Sequence, residues 1–112
     1  MSQEIVLVAG SRTAMGSFQG GLSSLTAPQL GAEVIKAVLD QSKLAADQLD
    51  EVIMGCVLPA GLKQGPARQA MRQAGLPDST GAVTINKLCG SGMKAVMQAS
   101  DMIKAEIGRA HV

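Results

Sequence analysis

The sequence predicts a layered α/β fold, and three observations carry that expectation. Apolar, β-rich runs occur at Ile5–Ala9, Val52–Leu58 and Ala82–Ile85. Stretches with apolar or small residues at helical spacing follow each of them, and glycine or proline marks the changes of period. The resulting order is strand, helix, strand, helix, strand, helix. Strands joined through helices run parallel, because a crossover that long returns the chain in its starting direction, almost always right-handed.

Ile5-Val6-Leu7-Val8-Ala9, ended by Gly10, has the unbroken apolar character of a strand buried on both faces. Ser11 to Ser24 is rich in glycine and serine and reads as a long excursion. Its Gly16 to Gly21 glycines lack the spacing of a dinucleotide fingerprint, and no helix opens directly after them. Arg12 in this excursion is suited to an exposed or structurally paired role, or to a phosphate or carboxylate contact. Thr26 supplies a cap, Pro28 fits a first turn, and Leu30, Val34, Ile35, Val38 and Leu39 form a helical stripe ending near Gln41. A polar link, Ser42 to Asp50, leads to the second strand, Val52–Leu58, closed by Pro59 and Gly61, with Cys56 inside it as a packing residue.

The next helix runs from Pro66 to Ala74, with Gly75 and Pro77 as its stop. Ala67, Ala70 and Ala74 allow a close helix contact. Arg68 and Gln69 suit either a place near an active-site cleft or a solvated or intersubunit face. Asp78–Gly81 then turns the chain into the third strand, and Met93, Val96, Met97 and Ile103 carry the last helix.

Composition narrows the function classes. With 112 residues, of which 46% are hydrophobic, the chain suffices for one small domain. The net charge of +1 gives no electrostatic footprint for nucleic acid or anionic membrane. Phe18 is the sole aromatic residue, so no stacking platform for single strands exists. Cys56 and Cys89 are far apart and His111 is the only histidine, which argues against a structural metal site. Neither a secretory leader nor an apolar run of membrane-spanning length is visible. The expected setting is soluble and cytoplasmic, where a reducing medium keeps a thiol free.

The chemistry centres on Cys89, at a strand-to-helix turn followed by Gly90 and Gly92. A helix start offers unpaired N–H groups and the positive end of its dipole, which stabilise a thiolate and an oxyanion. Cysteines so placed have pKa values of roughly 3.5–7.5, against about 8.5 unperturbed. Lys87 adds positive potential if it turns inward. The local pattern fits a buried packing cysteine equally well, since free cysteines are among the most buried residues.

A resemblance separates these alternatives. Asn86-Lys87-Leu88-Cys89-Gly90-Ser91-Gly92-Met93-Lys94-Ala95 resembles the nucleophile segment of the thiolase family, and most closely its acetyl-CoA acetyltransferase (acetoacetyl-CoA thiolase) branch. Ala9–Thr13, Gly16–Leu22, Met54–Leu58 and Gly65–Ala70 resemble further thiolase segments in the family's order. The likeness covers residues 3 to 105. It implies that Cys89 accepts an acetyl group, and that the chain is part of the first half of a layered αβαβα fold found in dimers or tetramers. The implied substrates are acetyl-CoA and acetoacetyl-CoA, with coenzyme A carried as the substrate thioester and no separate cofactor. The family's catalytic histidine, second cysteine and main CoA-binding loops belong to downstream sequence. His111 does not match that histidine and receives no catalytic role. Ketoacyl synthases and other condensing enzymes of the superfamily also place a cysteine at such a turn, but the Met93-Lys94 context favours thiolase.

Residues 1–105 are therefore expected to be the N-terminal part of a thiolase N-terminal domain. Glu106-Ile107-Gly108-Arg109-Ala110-His111-Val112 departs from the family pattern. It back-translates as GAG ATC GGA AGA GCA CAC GTC, the start of a common sequencing-library adapter, so residues 106–112 are expected to be a non-native tail. For the chain by itself, an inactive truncated fragment or a non-catalytic module pairing with an intact subunit is expected rather than autonomous catalysis.

Overall fold

The computed structural model describes residues 4–112; residues 1–3 of the expected 1–105 segment lie outside the described residues. Helices and strands alternate as α1 (Ala27–Ser42), β1 (Glu51–Gly55), α2 (Pro66–Gln73), β2 (Gly81–Ile85) and α3 (Ser91–Lys104), with a 3-10 turn at Ala46–Gln48 before β1. The strands pair in parallel, from Glu51 opposite Gly81 to Gly55 opposite Ile85. The α/β class and the parallel pairing follow the sequence-based expectation.

Local chemistry accounts for the helix limits. The Thr26 hydroxyl accepts from Gln29 N–H at 3.3 Å and Gln29 Oε1 accepts from Thr26 N–H at 2.8 Å, a reciprocal capping box. Helix α2 begins after Gly65, which has no capping side chain. The missing acceptor comes instead from β2, where Thr84 Oγ1 receives Ala67 N–H at 2.9 Å. That bond joins the start of one helix to the strand that leads towards Cys89.

The core lies between α1, α2 and the inner face of the strands. Ile35, Leu49, Val52, Ala70, Met71 and Leu76 are its buried members, and Met54 and Ala82 pack against them. Ala67 and Ala70 are fully buried, as their small size at a helix contact predicts.

The first expected strand is corrected. Ile5–Ala9 is not a strand, and Val6, Leu7 and Val8 are 62%, 86% and 66% exposed. The physical reason is pairing. A strand persists only when its backbone N–H and C=O groups find a ladder; Ile5–Ala9 pairs with neither β1 nor β2, and both edges of β1 are already taken. One edge holds β2. Along the other lie residues 110–112: Asp50 N–H donates to Ala110 O at 2.8 Å, Ile53 N–H to Val112 O at 2.7 Å, and Val112 N–H to Glu51 O at 3.1 Å. The second expected strand is also shorter than Val52–Leu58, ending at Gly55, so Cys56 stands just outside it, half-buried, with its N–H donating to Ile85 O at 3.0 Å.

Asp50 anchors the C-terminal stretch. Its carboxylate accepts Arg109 N–H at 2.7 Å and Ala110 N–H at 3.1 Å. These two backbone donors, Arg109 first, hold its pKa below the usual 3.8, with smaller help from the charges of His111 and Arg109. The folded value being the lower one, this contribution is complete above the ordinary carboxylate range and is lost as pH falls through the folded pKa. Hydrogen exchange at the Arg109 and Ala110 amides is therefore expected to lose protection on acidification only below pH ~3.8, the ordinary aspartate value. In Asp50→Asn the same amides exchange faster at neutral pH and show no such acid transition.

Candidate active site at the Cys89 turn

Strand β2 ends at Ile85, α3 begins at Ser91, and the five residues between them form the turn that carries Cys89. Cys89 is a free, exposed thiol at the C-terminal end of the parallel pair, the end where open α/β sheets bind their ligands. Leu88, the residue before it, has φ of 50° and lies in the left-handed region. For a residue with a Cβ this conformation costs roughly 1–2 kcal/mol, so surrounding bonds must hold it.

They do so from both sides. Leu88 N–H donates to Asn86 Oδ1 at 2.9 Å, and Asn86 Nδ2 donates to Val57 O at 3.0 Å on the loop after β1. Leu88 O accepts from Ser91 N–H at 3.1 Å and from the Ser91 hydroxyl at 2.6 Å. The same hydroxyl accepts Lys87 N–H at 2.8 Å, and Gly90 N–H donates to Lys87 O at 3.0 Å. Ser91 is only 3% exposed and both its donor and its acceptor capacity are used. Lys87 itself is exposed.

Helix α3 starts without a side-chain cap, and among the described residues the N–H groups of Gly92 and Met93 have no hydrogen-bond acceptor. These are the unpaired first-turn donors that the sequence predicts beside Cys89. The start of α3 sits directly on the end of β1. A Cβ built on Gly55 would come within 2.6 Å of the Ser91 carbonyl carbon and Cβ and 2.7 Å of Gly92 N.

Other residues singled out in the sequence lie elsewhere. Arg68 donates to Thr80 O at 2.8 Å and Asp78 O at 2.9 Å, holding the turn into the opposite end of β2. Gln69 donates to Leu62 O at 2.5 Å and Gln64 O at 2.8 Å, pinning the loop before α2. Exposed Arg12 donates, among the described residues, only to the carbonyl of its neighbour Thr13. His111 pairs with Glu51, at the N-terminal end of β1, and so at the far end of the strands from Cys89. Asn86, Ser91 and Gly55 were parts of motifs without an assigned task. For Gly55 a signal was present, a glycine interrupting an apolar strand; the roles of Asn86 and Ser91 depend on the left-handed Leu88, which the sequence does not show.

An exposed cysteine one residue before a helix start with unpaired N–H donors, on a turn held by side chains from two directions, has the parts needed for nucleophilic attack on a carbonyl. Known proteins resemble the chain in sequence and in fold. The family described as "Thiolase, N-terminal domain" matches residues 5–112. The chain is 54% identical over 102 residues to an acetyl-CoA acetyltransferase of Pseudomonas aeruginosa, which covers 91% of this chain and 26% of that protein. An acetyl-CoA acetyltransferase of Escherichia coli is 51% identical over 100 residues, covering 89% of this chain and 25% of its own length. Danio rerio has a relative named as a mitochondrial acetyl-CoA acetyltransferase, 50% identical over 100 residues, with coverages of 89% and 24%. A crystal structure of the Acat5 thiolase of Ascaris suum in complex with coenzyme A superposes with a TM-score of 0.89 at 39% identity, over 91% of this chain and 27% of that one. The chain thus spans about a quarter of the length of the relatives it matches. It belongs to the thiolase family, as a segment of the N-terminal domain.

Proposed function

We propose that the chain is the nucleophile-bearing N-terminal part of an acetyl-CoA acetyltransferase, with Cys89 as the acetyl acceptor. The observation that carries this reading is the exposed Cys89 thiol at the C-terminal end of β2, beside the unpaired N–H groups that open α3. The thiolate attacks the thioester carbonyl of acetyl-CoA, the carbonyl oxygen takes up negative charge, and the bond to the CoA sulfur breaks. CoA leaves as a thiolate and takes a proton, and Cys89 keeps the acetyl group. In the condensation direction a second acetyl-CoA loses an α-proton to a base, and its enolate attacks the acetyl-cysteine carbonyl. Acetoacetyl-CoA forms and Cys89 is regenerated. Thiolysis is the reverse.

The second base and the main CoA contacts belong, in this reading, to the remainder of a longer parent, which acts as a homo-oligomer in the cytoplasm. No metal or cofactor other than the CoA thioester substrate is invoked. The chain by itself then carries out acetyl transfer to Cys89 at most, without turnover. Residues 106–112 are proposed to be adapter-encoded, and reading the source DNA through the codons of Glu106–Val112 tests this. A genomic origin for those codons overturns it.

Incubation of the purified chain with acetyl-CoA is expected to leave one acetyl group, located by peptide mass mapping on Cys89. A second reading, an inert fragment, is favoured by the apolar side chains left exposed at Leu7, Leu88 and Met93 (86%, 69% and 69%). Absence of any adduct on a folded chain decides for it.

A further inference from the structure

We infer that Asn86 is a positioning residue for Cys89, holding the nucleophile turn in its reactive conformation by bridging it to the loop after β1. This rests on the reading of Cys89 as the acetyl acceptor. The side-chain amide has two separate duties. Its oxygen receives Leu88 N–H at 2.9 Å, and its NH2 group reaches Val57 O at 3.0 Å, on a segment 29 residues away. Leu88 is the left-handed residue directly before Cys89, and its backbone dihedrals together set the plane of the Leu88–Cys89 peptide and so the direction in which Cys89 leaves the turn. Release of Leu88 to an ordinary backbone conformation changes the direction of the Cys89 side chain relative to the start of α3.

Ser91 holds the other side of the same residue, but Ser91 is buried under the Gly55 contact and its loss disturbs packing. Asn86 is exposed, and its two bonds are to backbone groups. Its replacement therefore changes the turn with little direct effect on the core. Asn86 has no part in proton transfer or bond making. Its contribution passes through the orientation of Leu88.

The test compares wild type, Asn86→Ala and Asn86→Ser in the full chain. Serine retains an oxygen able to accept the N–H two residues on, without adding charge. Two rates are followed at fixed pH by mass spectrometry, acetylation of Cys89 by acetyl-CoA and alkylation of Cys89 by iodoacetamide, with the unfolded chain in urea as the reference for each variant. Small misplacements of a reacting group cost up to about a hundredfold, so Asn86→Ala is expected to slow acetylation by about tenfold or more. Asn86→Ser, which keeps an acceptor for Leu88 N–H but gives up the bond to Val57 O, is expected to recover only part of that loss. Native alkylation changes in the same order, while the urea rates and the unfolding midpoints coincide. Equal rates for Asn86→Ala and wild type overturn the inference. So does Asn86→Ser as fast as wild type, because that variant lacks the bond to Val57 O. If acetyl-CoA leaves no adduct on the wild type, the acetyltransferase reading fails, and the alkylation series still decides whether Asn86 orients the thiol.

Discussion

Cys89→Ser is expected to abolish acetyl transfer from acetyl-CoA to the chain, with no acetyl-bearing peptide detected over the time in which wild type is fully modified. A serine hydroxyl in the same place is a far weaker nucleophile, because it is almost wholly protonated at neutral pH and the turn contains no base within the described hydrogen-bond network to accept its proton. In a well-studied hydrolase the loss of a covalent nucleophile costs on the order of 10⁶ in kcat, and an effect of that class reads as complete loss here. The substitution is nearly isosteric and the site is exposed, so the unfolding midpoint is expected to stay where it is. An acetyl group found instead on Cys56 or on a lysine defeats the assignment, as does an adduct that survives in Cys89→Ser.

Gly55→Ala carries the largest expected effect on stability. The added methyl meets the backbone of Ser91 and Gly92 at 2.6–2.7 Å, and a main chain cannot swing aside as the end of a flexible side chain can. Overpacking of this kind costs about 1–3 kcal/mol, a large share of the ~5–15 kcal/mol that stabilises a typical domain. The damage reaches the site, because a displaced Ser91 hydroxyl no longer holds both Lys87 N–H and Leu88 O. Chemical denaturation is expected to show the lowered midpoint, and native alkylation of Cys89 the disturbed turn. Gly92→Ala is the control for stability: a Cβ there meets nothing within 4 Å, so the change is neutral or slightly stabilising. Equal midpoints for Gly55→Ala and Gly92→Ala show that β1 and α3 do not meet as closely as described.

The two predictions separate what the linear pattern conveys from what it leaves open. The turn of Cys89 was legible because a strand, a glycine-bearing turn and a helix follow one another within a dozen residues, and the positions of helices α1 to α3 were legible from their spacing, with a cap at α1 and proline and glycine punctuation at α2. Arg68 and Gln69 were ambiguous, since a long polar side chain at a helix surface gives no sign of its partner. In the fold both hold backbone carbonyls of nearby loops. Asn86 and Ser91 stood in the motif in plain view, but their roles depend on a left-handed Leu88 and on Val57, and no local pattern reports a bond across 29 residues.

Taken alone, the sequence determined the α/β class, the order of the helices, the family, and the placing of Cys89 at the start of a helix. Those properties arise from periodicity, turn chemistry and motif, which act over a few neighbouring residues. The tertiary structure alone decided which runs become strands and what clamps the Cys89 turn. Ile5–Ala9 has the stronger apolar signature, yet Ala110–Val112 takes the edge of β1. A strand is stabilised by the ladder it joins, and its partner can lie anywhere along the chain.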